Sequence, residues 1–233
     1  MDLLDWDASD LSEALAARRI SAVELMQATL ARIEAVNGKV NAIVSLRDRD
    51  TLLAEAQAAD ASPREGWLHG IPMAIKDLAD AEGLPTSQGS PLFGLEPATR
   101  DHPAVARLRA AGAIFIGKTN TPEFGLGSHT FNPVHGATRN PYDLSRSAGG
   151  SSGGAAAALA ARLVAVADGS DMMGSLRNPA GWNNVYGMRP TWGTVPSDDG
   201  GDLFLQTVRG LTESLGCPDV FAEPFCASRL LCV

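Results

Sequence analysis

Short apolar segments alternate with helix-forming segments along most of this 233-residue chain, and that alternation restricts its fold more than any other feature. Residues 9–17 and 21–36 carry amphipathic helical patterns. In the second, Ser21 is a suitable N-cap with Glu24 three residues on, a capping-box pair, and Val23, Met26, Leu30 and Ile33 repeat at helical spacing. Asn37-Gly38 is the expected stop. Residues 40–46 read as a short strand, 51–59 as a helix and 62–66 as a loop. Residues 71–75 read as a second strand ending in Lys76-Asp77, and 83–101 as a long irregular stretch. A helix over 104–111 stops at Gly112, a buried strand covers 113–116, and 117–150 is mostly loop. A helix over 155–162 and a strand over 163–167 follow. Helices interleaved with short apolar strands predict an α/β layered fold.

Composition narrows the function classes. The formal net charge of −8 argues against nucleic acid as a main partner. No apolar run reaches the roughly 18 residues needed to span a bilayer. The start, Met1-Asp2-Leu3-Leu4-Asp5, lacks a basic-then-apolar signal, so a soluble, cytoplasmic protein with no membrane partner is expected. Cys217, Cys226 and Cys232 are the only cysteines and all fall in the last seventeen residues, a reducing-compartment pattern for the body of the chain. Lys39, Lys76 and Lys118 are the only lysines, against sixteen arginines, so any mechanism that needs a lysine has three candidates.

Two motifs mislead. The stretch Gly112-Ala-Ile-Phe-Ile-Gly117-Lys118-Thr119 fits the letters of a phosphate-binding P-loop. A true P-loop follows its strand and opens a helix, whereas here the four intervening residues are themselves apolar strand and Asn120-Thr121-Pro122 continues poorly as helix. Gly149-Gly150-Ser151-Ser152-Gly153 fits a G-x-S-x-G nucleophile elbow. That fold places its histidine after the serine, and His69, His102, His129 and His135 all precede Ser151. No H-E-x-x-H spacing supports a zinc site, and no metal or cofactor is expected. The Gly/Ser run is either a flexible linker or a tight turn with exposed N–H donors feeding the alanine-rich helix.

Three segments taken together resemble the amidase signature family of Ser-Ser-Lys amide hydrolases. They are His69-Gly-Ile-Pro-Met-Ala-Ile-Lys76-Asp77, Ser147-Ala-Gly-Gly-Ser151-Ser152-Gly-Gly-Ala-Ala-Ala, and Gly169-Ser-Asp171-Met-Met-Gly174-Ser175-Leu-Arg177-Asn-Pro179-Ala. The resemblance runs from the N-terminal helix pair to about Pro196 and includes Gly117-Lys118-Thr119-Asn120-Thr121-Pro122-Glu123-Phe124-Gly125. It implies a mixed β-sheet core flanked by helices. It implies Lys76 as general base, Ser151 as a bridging serine in a cis peptide and Ser175 as nucleophile. The backbone N–H groups of Met172, Met173, Gly174 and Ser175 would surround the oxyanion. Lys118 would be structural and Lys39 a surface residue. The implied activity is hydrolysis of a small-molecule amide to a carboxylate and ammonia or an amine through an acyl-enzyme, with a homodimer as the suggested assembly. A serine hydroxyl needs a base, and lysine serves only when burial has made it neutral.

The chain departs from the family pattern in two places. Where the family usually reads Asp-Thr-Gly-Gly-Ser, this chain reads Asp171-Met172-Met173-Gly174-Ser175, which would make the acyl pocket wall more apolar and adaptable. Residues 1–206 are expected to be the N-terminal part of an amidase domain holding the whole triad. Residues 207–233, where the resemblance fades and the cysteines begin, are expected to be a divergent tail from a truncated or frameshifted gene. Two other functions stay open: the glutaminase component of a tRNA-dependent amidotransferase, and a catalytically inert remnant. The segment Asn183-Asn184-Val185-Tyr186-Gly187-Met188-Arg189-Pro190 looks more like the stand-alone amidases.

Overall fold

The computed structural model describes residues 2–190, 195 and 230–232; the expected boundary at 206/207 lies outside the described residues. The elements run α1 (Ala8–Ala16), α2 (Ala22–Val40), β1 (Ile43–Val44), α3 (Arg49–Ala61), β2 (Pro72–Lys76), α4 (Pro103–Ala110) and β3 (Ile114–Thr119). They continue with β4 (Phe131–Asn132), β5 (Gly136–Ala137), β6 (Arg139–Asn140), β7 (Asp143–Ser147), α5 (Gly153–Ala160), β8 (Val166–Asp168), α6 (Arg177–Trp182), β9 (Tyr186–Met188) and β10 (Leu230–Cys232). This is the α/β architecture that the alternating pattern implies.

The capping box forms as expected: Ser21 and Glu24 satisfy each other's N–H groups at the start of α2. The other end of α2 does not follow expectation. The helix runs through Asn37-Gly38 and reverses at Asn41, which takes the left-handed conformation with φ 52°. The Asn37 side chain explains this. Its amide oxygen accepts from Ala42 N–H at 3.0 Å and Ile43 N–H at 2.9 Å, and its NH₂ donates to Ile43 C=O at 2.8 Å. Asn37 thus organises the turn from within the helix, and the extra turn buries Val40. The strand expected over 40–46 shrinks to β1. The 117–150 stretch is also more ordered than expected. It opens with the last residues of β3 and folds into two antiparallel hairpins, β4–β5 and β6–β7.

One three-stranded sheet has the order β1-β3-β2, with β1 antiparallel and β2 parallel to β3. A second, all-parallel, has the order β8-β10-β9. The first sheet is covered on both faces. Met73, Ile75 and Phe115 point into one apolar cluster with Leu11, Leu25 and Val105, while Ala74, Ile114 and Ile116 point into the other with Met26, Leu30 and Leu159. Two buried faces explain why these strands read as unbroken apolar runs. Lys76 ends β2, and its backbone N–H donates to Asp168 Oδ1 at 2.9 Å at the end of β8, which brings the ends of the two strands together.

Helix α5 is buried from Gly153 to Leu159 and sits close against the chain leaving β3. A Cβ on Gly154 would lie 2.2 Å from Asn120 N, 2.6 Å from Asn120 O and 2.8 Å from Ala42 O, all backbone atoms that cannot swing away. Gly154→Ala should therefore destabilise the fold by about 3 kcal/mol. Gly38 is a helix-interior glycine with nothing within 4 Å of its Cβ position, so Gly38→Ala should stabilise by roughly 0.5–1 kcal/mol. Urea denaturation of the two variants checks both signs.

Candidate active site

The turn at 148–152 brings the site together. Ala148, Gly149, Gly150, Ser151 and Ser152 are all buried, so the Gly/Ser run is a packed turn and not a linker. The Gly150–Ser151 peptide is cis. Gly149 has φ +80°, and its Cβ position already lies 3.2 Å from Pro179 Cα, which leaves glycine as the residue that fits. The Gly153 N–H at the start of α5 donates to Thr130 Oγ1 at 3.1 Å.

The Lys76 side chain is 2% exposed and its amine meets three hydroxyls. Nζ donates to Ser151 Oγ at 2.7 Å, Ser170 Oγ at 2.8 Å and Ser152 Oγ at 2.9 Å. Burial lowers its pKa from 10.5 to about 7, against the pull of the Asp168 and Asp171 carboxylates, which favour the ammonium. Burial likewise raises Asp168 to about 6, moderated by the Lys76 backbone N–H and by the charges of Lys118 and Lys76.

Ser175 is half-buried and joins the same turn through its backbone: Ser152 N–H donates to Ser175 C=O at 2.8 Å. The segment before it wraps around the buried Asp171. Burial alone would raise this carboxylate, but hydrogen bonds from the Arg177 side chain and from the N–H groups of Arg177, Gly174 and Leu176 hold it down at about 2. Arg177 is bidentate on Asp171, at 2.8 Å from Nε and 2.9 Å from a terminal nitrogen.

The oxyanion expectation meets one difference here. Gly174 N–H is already engaged, donating to Asp171 Oδ1 at 2.8 Å. No acceptor among the described residues takes the N–H groups of Met172, Met173 or Ser175. Met172 and Met173 are exposed, Met173 at 87%.

The other sequence candidates fall elsewhere. Lys39 is exposed. Lys118 lies inside β3, fully buried, with Nζ donating to Ala79 C=O at 2.6 Å and Thr86 Oγ1 at 3.0 Å. The P-loop reading fails because that segment is strand. None of the four histidines bonds to Lys76; His135 Nε2 instead lies 3.2 Å from Ser87 Oγ, which itself donates to Asp77 at 2.5 Å. Ser170 is the site residue that sequence motifs do not reveal: it stands 94 positions from Lys76, and no local pattern signals their contact. Among the described residues no His, Cys, Asp or Glu cluster is arranged to hold a metal ion, and no helix is long and apolar enough to cross a membrane.

A family model described as Amidase matches residues 24–215. The chain belongs to the amidase family. An indoleacetamide hydrolase from Bradyrhizobium diazoefficiens is 45% identical over 84% of this amidase-family chain and 38% of its own length. An acylamidase from Rhodococcus erythropolis is 43% identical, over 83% and 41%. The A component of a glutamyl-tRNA(Gln) amidotransferase from Azoarcus is 45% identical, over 83% and 40%. The native peptide amidase of Stenotrophomonas maltophilia superposes with a TM-score of 0.74 at 37% identity, covering 82% of this chain and 41% of that one. A bacterial aryl acylamidase of the amidase signature family gives 0.76 at 33% identity, over 85% and 42%. The chain thus spans about 40% of the length of the curated relatives it matches. The family match ends before Cys217, so all three cysteines lie beyond it.

Lys76 carries a pH-dependent stability of defined sign. Its amine releases a proton near pH 7 in the folded chain and near 10.5 in the unfolded chain. Between those values the unfolded state binds the extra proton, so this group's contribution to stability increases with pH across the window and is least below 7. The unfolding free energy of the natural chain relative to Lys76→Met should climb by about 2 kcal/mol in all between pH 7 and 9, the slope approaching about 1.4 kcal/mol per pH unit above pH 8. A difference that stays flat over urea melts at pH 7, 8 and 9 would contradict the shifted ionisation.

Proposed function

We propose that this chain carries the catalytic residues of an amide hydrolase working on a small-molecule amide, with Lys76, Ser151 and Ser175 as its triad. The observation that carries the reading is the buried Lys76 amine 2.7 Å from Ser151 Oγ. At its ordinary pKa about one lysine in a few thousand is neutral at pH 7; with the pKa near 7, about half are. Neutral Lys76 takes the Ser151 proton, Ser151 takes the Ser175 proton, and Ser175 Oγ bonds to the carbonyl carbon. The protons return through the same pair to the leaving nitrogen as the C–N bond breaks, releasing ammonia or an amine. Water then hydrolyses the Ser175 ester by the same relay and frees the carboxylate.

The tetrahedral oxyanion needs donors, each worth about 2.7–4 kcal/mol when well placed. The N–H groups of Met172, Met173 and Ser175 supply them, with Gly174 N–H kept by Asp171 to shape the loop. Among relatives at this identity are several amidotransferase A components, which supports a second reading as a glutaminase. Release of ammonia from glutamine only when partner proteins are added would favour it; turnover of acyl or aryl amides by the chain alone would favour the hydrolase.

Fluorophosphonate labelling should mark Ser175. Ser175→Ala should abolish the label, and Lys76→Ala should slow it by about 10²–10⁴-fold. Labelling that survives Ser175→Ala would remove the reading. Met173→Gly should shift the kcat/KM ratio of aryl to short aliphatic amides by about tenfold toward the short ones, as an apolar side chain beside the proposed oxyanion donors is removed.

A further inference from the structure

The relay uses one of the three hydroxyls around Lys76; Ser152 and Ser170 take no proton in it. The balance of donors and acceptors at Nζ gives both a task. A neutral amine has two N–H donors and a single lone pair, and the relay works only if the lone pair faces Ser151. Two acceptors are therefore needed on the other sides of Nζ. Ser152 Oγ spends its own hydrogen on Ser170 C=O at 3.2 Å, so toward Lys76 it accepts. Ser170 Oγ, 2.8 Å from Nζ, is left as the second acceptor.

Resting on the proposed triad, we infer that Ser170 is a positioning residue whose hydroxyl takes one Lys76 N–H and so, together with Ser152, aims the amine's lone pair at Ser151. The same ring suits the protonated state. An ammonium has three hydrogens, and Ser151, Ser152 and Ser170 offer three oxygens, so the amine changes charge without changing partners. The backbone holds the ring in register: Ser170 N–H donates to Ser152 Oγ at 3.1 Å, and Ser152 N–H reaches Ser175 C=O. The charged groups bearing on Lys76 are Asp168 at the end of β8, Asp171 in the loop after it, and Lys118, which acts on Asp168 from β3. Ser170 is uncharged, so its removal leaves those charges in place and deletes one hydrogen bond.

The chain's three lysines allow a direct test, because lysine labelled at its side-chain carbon and nitrogen gives one resonance set each for Lys39, Lys76 and Lys118. Losing one acceptor disfavours the ammonium, so Ser170→Ala should lower the Lys76 pKa by about one to two units while the Lys118 signal stays in place. The acid limb of Ser175 labelling by fluorophosphonate should move down by the same amount, and its plateau rate should fall about tenfold or more. Ser170→Thr, which keeps the hydroxyl, should restore both. Should Ser170→Ala disturb the Lys118 signal, Ser170→Cys keeps the volume with a weak acceptor and is read the same way. An unshifted Lys76 pKa, or a plateau within twofold of the natural chain, overturns the role of Ser170. A Lys76 that titrates near 10.5 in the natural chain overturns instead the triad on which the inference stands.

Discussion

An amine kept out of water by its neighbours is the constraint on which this site rests. Lys76 ends a strand that is buried along its whole length, and its side chain remains among hydroxyls with no carboxylate in direct contact with Nζ among the described residues. Desolvation therefore outweighs the attraction of Asp168 and Asp171 and leaves the amine close to neutral balance at physiological pH. A direct carboxylate partner would have fixed the charge on the amine.

That arrangement needs elements far apart in sequence to meet within hydrogen-bonding distance. The meeting depends on small residues. The first turn of α5 lies against the backbone of Asn120 and Ala42, and Gly149 lies against Pro179. Side chains at either place would push the serine turn away from β2. Asp171 does the equivalent work for the segment that leads to Ser175, gathering three backbone N–H groups and the Arg177 guanidinium around a single carboxylate, with Arg189 3.7 Å from the same group. The Ser152 N–H thus links the glycine-rich turn that carries Ser151 to the carboxylate-centred loop that carries Ser175.

What could be read from sequence follows the range of the interaction. The Ser21–Glu24 capping box was legible because it spans three residues. The end of α2 was not, because Asn37 uses its side chain on residues 42 and 43 while its backbone stays helical, and propensity registers only the backbone. The apolar run that ends at Lys76 was legible as a strand, whereas the structural character of Lys118 came only with the family resemblance and is accounted for by its burial inside β3. The β4–β5 and β6–β7 hairpins were obscured because each strand is only a few residues long with too little alternation to detect. Ser170 and the engagement of Gly174 N–H were invisible for another reason: both are contacts fixed by tertiary packing within segments whose motif letters carry no such information.

The burial of two of the three lysines has a practical corollary. Lys76 and Lys118 are closed off inside the sheet, whereas Lys39 stands exposed in the last turn of α2. Apart from the α-amino group, an acylating dye or a surface-coupling ester would find one accessible nitrogen on the described fold. Attachment through Lys39 would tether the molecule by the end of α2 and leave the serine turn untouched, a ready handle for immobilisation or single-molecule spectroscopy without engineering.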